Sequence, residues 1–430
     1  MAVVCKNEHG WVVDHKQYLD QTYCRRNTQP YEGVLTSFQF QADLFNIKCP
    51  FMMDSQFEVT QESHSHMGAT GELESSVKRK RKRKRKAELN YGEVKAAEYH
   101  DQIKDQVLTA VNTLLELGKE VGYFPTEKNL QDLDNNVRAR AAVKSLGETD
   151  ICTEESCYHG DFPSIKDQQG IILKHNDDVT MSSIVNRPVR YPRDDPAVVS
   201  VDNDLYLLPP RCSFLLSDFS RVNLLQTSTE FPRFDMIVMD PPWQNKSVKR
   251  LKKYYSMSNE DLLDIPIPRL GTDNSLVVVW VTNRWQHIQF VKDTLFPRWS
   301  VQFLAEWHWV KVTKACEMVY TFDSPHRKPY EVLIIGSCRK PKTETNSEGI
   351  DEETVSQERA TSQIPVSKVI VSIPCCIHSV KPPLQEVMKE YLPPNPHCLE
   401  LFARNLTPDW TSWGNQVLKH QHKIYFDAVT

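Results

Sequence analysis

The chain has 430 residues, a formal net charge of −4 and 40% hydrophobic residues, the balance of a globular protein long enough for ~2–4 domains. No apolar run approaches the ~18 residues that cross a bilayer, so no membrane partner is expected; the opening Met1-Ala2-Val3-Val4-Cys5-Lys6 has neither an apolar signal core nor an Arg-rich presequence. Eleven cysteines without a regular framework read as reduced thiols of a cytosolic or nuclear protein.

Residues 1–60 form a small N-terminal region, where Trp11-Val12-Val13 and Phe38-Gln39-Phe40 predict short strands. Residues 61–90 read as a disordered linker. Its first part, 61–77, is rich in Ser, Glu and His. An unbroken basic run follows from Lys78 to Lys86, nine alternating lysines and arginines. Mutual repulsion keeps such a run from folding alone, and it suits the nuclear import machinery, a nucleic-acid arm, or both. A nuclear location is expected, with the cytoplasm as the alternative.

Residues 91–197 read as helical, then irregular. Ile103, Val107, Ala110, Val111, Leu114 and Leu117 recur at helical spacing, with Gly118 placed as a C-cap. A second helix is predicted over 129–142. Beyond 147, Pro188, Pro192 and Pro196 predict broken structure. The texture changes at about Val198, and 198–430 reads as one domain. Eight of the nine tryptophans lie at or after Trp243, so the large apolar mass is there. Strands are predicted at 213–217, 234–239, 275–281, 301–311, 330–337, 368–373 and 397–402, and helices at 258–264, 285–295 and 384–391. This alternation predicts an α/β fold with a largely parallel sheet, and the 301–311 and 330–337 runs predict an antiparallel edge. Residues 341–363 are polar and acidic and read as a disordered insertion.

Asp240-Pro241-Pro242-Trp243 follows the apolar run Met236-Ile237-Val238-Met239. The layout is a buried strand that delivers a carboxylate to its C-terminal edge, where open α/β sheets place ligands. The two prolines fix φ and remove two N–H donors, leaving carbonyl acceptors. Two acceptors suit an amine with two hydrogens, as on adenine or cytosine. Trp243 offers a flat face for a base, worth ~1–3 kcal/mol per base. Hydrogen bonds from an exocyclic amine to Asp240 and a prolyl carbonyl push charge back onto nitrogen and strengthen as positive charge develops there. The matching electrophile is a sulfonium methyl. The plainer reading is a strand that ends in a Pro-rich turn with a buried Trp.

A series of segments resembles one family in order. Asp218-Phe219 precedes the strand. Tyr254-Tyr255-Ser256-Met257-Ser258 follows the Asp-Pro-Pro-Trp motif. Leu276-Val277-Val278-Val279-Trp280-Val281-Thr282, Trp307-His308-Trp309-Val310-Lys311 and Tyr330-Glu331-Val332-Leu333-Ile334-Ile335-Gly336 come next. Lys381-Pro382, Cys398-Leu399-Glu400-Leu401-Phe402-Ala403-Arg404 and Gly414-Asn415-Gln416 close the series. Over roughly 200–430 the chain resembles the messenger-RNA adenosine methyltransferases, the MT-A70-like family. The resemblance implies a Rossmann-like S-adenosylmethionine-dependent methyltransferase domain in permuted order, catalytic strand first and cofactor strand last, behind a partly helical N-terminal extension. It implies the N(6) amine of adenine as target. It also implies RNA substrates, among them 2′-O-methyladenosine in small nuclear RNA, and leaves DNA adenine open. The segment between Arg404 and Trp410 is shorter than in the family, and no Cys/His zinc-finger spacing is present.

Roles follow from the chemistry of that cofactor. Lys381 suits the methionine carboxylate as a point charge. Arg404, Asn415 and Gln416 suit the ribose hydroxyls. Asp218 accepts from the cofactor adenine, with the Phe219 backbone as donor, and Glu400 orders the strand end or Arg404. Taken singly, these residues also read as solvated cations, a turn and a helix cap. On the substrate side, Lys246, Lys249, Arg250, Lys252 and Lys253 with Tyr254 and Tyr255 suit the phosphates and bases of a single strand or a flipped base. Glu331 reads as a pocket wall or a partner for His326, Arg327 or Lys328. No metal site is expected, because neither Cys152, Cys157 and His159 nor Cys375, Cys376 and His378 have zinc-ligand spacing. The rival class is a catalytically inactive nucleic-acid-binding partner, and cytosine is the rival base.

Overall fold

The computed structural model describes residues 2–24, 37–51, 91–126, 136–147, 170–218, 221–222, 225, 231–243, 258–324, 327–338, 364–377 and 380–429. The 61–90 linker with its basic run, the 341–363 insertion and the loop from Lys246 to Tyr255 lie outside the described residues, as do Phe219, Cys152, Cys157, His159, His326 and His378.

A run without polar alternation has to be covered on both faces. Met236-Ile237-Val238-Met239 is buried throughout and forms most of β10 (Phe234–Met239). Two parallel neighbours flank it, β11 (Gly271–Val281) and β15 (Cys398–Leu401). Beyond β15 run β16 (Trp410–Gly414) and β9 (Cys212–Leu216), also parallel. The edge on that side is β6 (Pro188–Tyr191) and β4 (Ile171–Ile172). Beyond β11, β13 (Tyr330–Cys338) is antiparallel and leads to β12 (Val301–Lys311), β14 (Val369–Ser372), β2 (Gly10–Val13) and β1 (Val3–Asn7). The sheet therefore has twelve strands. A three-stranded sheet of β5 (Asp178–Val179), β7 (Ala197–Val201) and β8 (Asp204–Leu208) stands beside it, and β3 (Ser37–Phe40) pairs antiparallel with β17 (Phe426–Val429).

Three helices from the first third of the chain pack on this frame. Asp14 caps α1 (His15–Tyr23) by accepting from Gln17 N at 2.8 Å. The long α2 (Tyr91–Glu120) buries Val107, Ala110, Val111, Leu114 and Leu115 and packs over β1, β2 and β14. Its Tyr99 hydroxyl donates to Glu306 Oε1 at 2.6 Å, beside His308. The third, α3 (Val137–Gly147), packs on the turn at Ala42–Phe45.

Four expectations change. The β12–β13 pair is antiparallel but is no edge, because β14, β2 and β1 extend the sheet past it. Residues beyond 170 are not irregular. Pro188 opens β6 and pairs with Leu215, a first-residue position where a missing N–H is tolerated. The second helix covers Val137–Gly147 and so runs past the predicted end at 142; Asn136 before it adopts φ 58° and its Oδ1 accepts from Lys48 N and Cys49 N at 2.8 and 3.2 Å, while residues 129–135 lie outside the described residues. Gly118 lies inside α2, not at its cap. A Cβ there would meet the Phe124 ring at 2.6 Å, and the left-handed turn falls at Gly122, φ 76°.

Candidate active site

Four adjacent parallel strands, in the order β10, β15, β16 and β9, end on one edge of the sheet. Asp240 follows β10, Arg404 follows β15, Asn415 and Gln416 follow β16, and Asp218 follows β9. The topology thus gathers these sequence-predicted residues although up to about 200 residues separate them. From β10 the chain departs toward β11, whereas β15 and β16 fill the opposite flank. The crevice between β10 and β15 is therefore a topological switch point, the place where open α/β sheets bind ligands. The late strands β15 and β16 stand between β10 and β9, which is the permuted order.

At this edge charges alternate. Lys381 Nζ lies 3.3 Å from Asp240 Oδ2 and 2.5 Å from Glu331 Oε2. The other Glu331 oxygen pairs with Lys311 Nζ at 2.5 Å. Lys381 also sits over the Trp280 ring, 5.2 Å from its centroid. Burial alone would raise the Glu331 carboxyl, but Lys381 and Lys311 outweigh it and hold it at about 2. Burial pushes Asp240 up from its ordinary value, and Lys381 opposes that rise. Lys381 is held protonated: burial disfavours its charge, and Asp240 and Glu331 more than restore it. Glu400 is in register with Val238, two residues before Asp240 on the neighbouring strand. Burial and the Asp240 charge push its carboxyl up to about 8, so Glu400 is largely neutral at pH 7.

The turn after Asp240 is tied down by Trp243. Its backbone N donates to Pro241 O at 2.7 Å, and its indole Nε1 donates to Trp280 O at 2.9 Å. The ring stacks on His287, centroids 4.7 Å apart, and is 8% exposed. A free stacking face for a base is not what this geometry offers. Trp243 acts as a strut between the Asp240-Pro241 turn and the end of β11, and the His287 ring covers its face. Lys381 likewise answers two protein carboxylates rather than standing open to the methionine carboxylate. Glu331 finds Lys311 and Lys381 as partners in place of His326, Arg327 or Lys328. Lys311 was not predicted as a site residue; the signal was a Lys and a Glu at the ends of two strands that pair Trp309 with Glu331. A cavity of about 70 Å³ opens beside Lys381 and Glu400, walled by Asn405, Leu406 and Thr407 and by Tyr18, Thr22 and Tyr23 of α1.

The MT-A70 family description matches residues 234–416, the stretch that holds β10, β15 and β16. The human N(6)-adenine-specific methyltransferase METTL4 is 40% identical over 93% of this chain and 83% of its own length. The chain belongs to the MT-A70 family. Its sheet is that of a Rossmann-like methyltransferase, and it is an adenine N(6)-methyltransferase. More distant MT-A70 relatives cover other ground. The N6-methyladenosine RNA methyltransferase MTA1 of Pyricularia oryzae is 34% identical over 51% of this chain and 56% of its own. The DNA N6-methyl methyltransferase of Caenorhabditis elegans is 26% identical over 96% of both chains.

The strand-end residues fit a sulfonium nucleoside cofactor of the MT-A70 kind. Asp240 and Asp218 are acidic groups for a cationic, amine-bearing ligand, and Glu400 is a half-buried carboxyl that such a cation would help ionise. Arg404, Asn415 and Gln416 supply donors at the neighbouring strand end.

Proposed function

We propose that the chain uses S-adenosylmethionine to methylate the N(6) amine of adenine in RNA, with 2′-O-methyladenosine of small nuclear RNA as substrate. The observation that carries the chemistry is Asp240 at the switch-point edge, held by Lys381 at 3.3 Å. The resemblance over 200–430 and the RNA methyltransferase among the relatives support RNA. The Caenorhabditis elegans relative, with its DNA-directed name, supports DNA adenine as a second reading. The basic run Lys78–Lys86 supports a nuclear location and contact with a phosphate backbone.

When bound, the cofactor supplies an electrophilic methyl on a sulfonium. Asp240 accepts one amine hydrogen, and the Pro241 carbonyl, with a lone pair beyond the one used by Trp243 N, suits the other. Both contacts strengthen as nitrogen becomes positive, so they act mainly in the transition state. Lys381 and Glu331 fix the Asp240 carboxylate against rotation. Burial of Asp240 raises its basicity, so its Oδ atoms are the acceptor for the proton that the methylated amine sheds. Asp218, Arg404, Asn415 and Gln416 would hold the nucleoside of the cofactor, and Glu400 would face its positive charge. A duplex base cannot reach a strand-end pocket, so the target is single-stranded or flipped. Lys246, Lys249, Arg250, Tyr254 and Tyr255 would meet that strand.

Methyl transfer from labelled cofactor to matched single-stranded RNA, 2′-O-methyl RNA, single-stranded DNA and duplex DNA tests this. The 2′-O-methyl RNA should be the best substrate, and Asp240→Ala should lose at least about 10²–10³-fold in kcat. Equal transfer by Asp240→Ala would overturn the mechanism, and a DNA preference would replace the substrate. Calorimetry with the cofactor separates the rival class, since an inactive partner would not bind it.

A further inference from the structure

Gln421 is 1% exposed, and its amide joins three segments far apart in sequence. Nε2 donates to the Tyr23 hydroxyl at 2.6 Å, at the end of α1, and to Leu207 O in β8. Oε1 accepts from Leu406 N at 3.0 Å. The preceding residue adds a fourth tie, since His420 N donates to Arg404 O at 2.9 Å. Two consecutive residues thus grip the 404–408 loop at points two residues apart.

That loop joins β15 to β16 and forms no helix or strand of its own. It leaves β15 through Phe402 at φ 61° and enters β16 after Asp409 at φ 65°. A turn closes its far end, where Trp410 N donates to Thr407 O at 3.2 Å, and ties to other segments hold the rest of its path. A second route also runs from α1. The Tyr18 hydroxyl donates to Gln385 Oε1 at 2.8 Å, and Gln385 Nε2 reaches Pro408 O at 3.5 Å. Tyr18, Tyr23, Leu406 and Gln421 all wall the cavity that reaches Lys381 and Glu400.

The chemistry required at 421 is narrow. One side chain has to give hydrogens to a hydroxyl and a carbonyl while it accepts from a backbone N–H. A primary amide does this; leucine, lysine and ionised glutamate do not. A buried polar group left unpaired is costly, so the loop is held only while all partners are met.

We propose that Gln421 is a positioning residue for the cofactor: it sets the Arg404–Pro408 loop, and through it α1 becomes a working wall of the site. This rests on reading that loop as part of the cofactor site.

The test uses the full chain with Gln421→Leu, Gln421→Glu and Tyr23→Phe, all measured well below their melting temperatures. Cofactor Kd by calorimetry, separate KM values for cofactor and nucleic acid, and kcat are read. Gln421→Leu should raise the cofactor Kd and KM about tenfold, the size of an unmade buried hydrogen bond, with the nucleic-acid KM within about twofold. Tyr23→Phe should act in the same direction at about threefold, with only one arm lost, and it serves if Gln421→Leu does not fold. Gln421→Glu should regain cofactor affinity as the pH falls, because the protonated acid restores a donor for Leu207 O. Folded variants with lower melting temperatures but wild-type cofactor Kd and KM would overturn the proposal. A wild-type chain that fails to bind the cofactor would instead overturn the cofactor assignment beneath it.

Discussion

Asp240 is one end of a row in which each charge is answered by the next: Lys311, Glu331, Lys381, Asp240. Breaking such a row at one member leaves its neighbours as half-buried, uncompensated charges, which is worse than never having had them. Lys381→Met removes the cation that keeps Asp240 from rising further. The acid limb of the pH–rate profile should therefore move to higher pH, because transfer needs ionised Asp240, and kcat at pH 7 should fall by at least about tenfold. A profile that coincides with wild type would detach Lys381 from the chemistry. Glu400 gives a prediction of opposite character. Its carboxyl titrates at about 8 in the folded chain against an ordinary value of 4.5. Between these values the native state binds more protons than the unfolded state, so its contribution to stability is fully present below the lower value and is lost as pH rises through the upper one. Melting temperatures taken from pH 5 to pH 9 should decline toward alkali in wild type. The decline should be shallower in Glu400→Gln, which keeps the neutral form at every pH; parallel curves would refute the assignment.

The elements divide by how far their cause lies from their own residues. The strands β10, β12 and β13 were legible because continuous apolar runs of strand length have few other fates. The helix α2 was legible from its stripe, though it starts at Tyr91, twelve residues before Ile103, and ends at Glu120, three residues after Leu117. Leu114 sits fully buried on that stripe, so Leu114→Ala should cost ~2–5 kcal/mol in denaturant unfolding; a cost near zero would mean that α2 is only loosely applied to the sheet. β6 was not legible, because Pro188 signals a break unless one knows that β9 waits beside it. The site divides in the same way. Asp240 could be read from its own strand, and Arg404, Asn415 and Gln416 from the family resemblance. Lys311 and Gln421 could not, since each acquires its role from partners on elements distant in sequence. The same holds for Trp243: its sequence neighbours make it look like a platform, and only the arrival of His287 and Trp280 shows it as a strut.

The whole molecule is sewn together across its length. β2 joins the main sheet through β14, so residues near the start pair with residues about 360 positions later. β3 pairs with β17, which joins 37–40 to 426–429, and Gln41 Nε2 donates to Ile424 O at 2.7 Å. Removing residues after Tyr425 should therefore do more than trim an end. It strips β3 of its partner and uncovers Phe40, so the truncated chain should lose cofactor affinity and melt at lower temperature than the full one. An unchanged affinity would show that the strand pair is ornamental. Long-range closure of this kind is slow, because loop entropy is lost before the contacts that reward it are made. On a translating ribosome the segment with β3 emerges hundreds of residues ahead of the one that completes it. A nascent chain that has not yet reached residue 426 already holds Asp240 but leaves β3 without its partner strand.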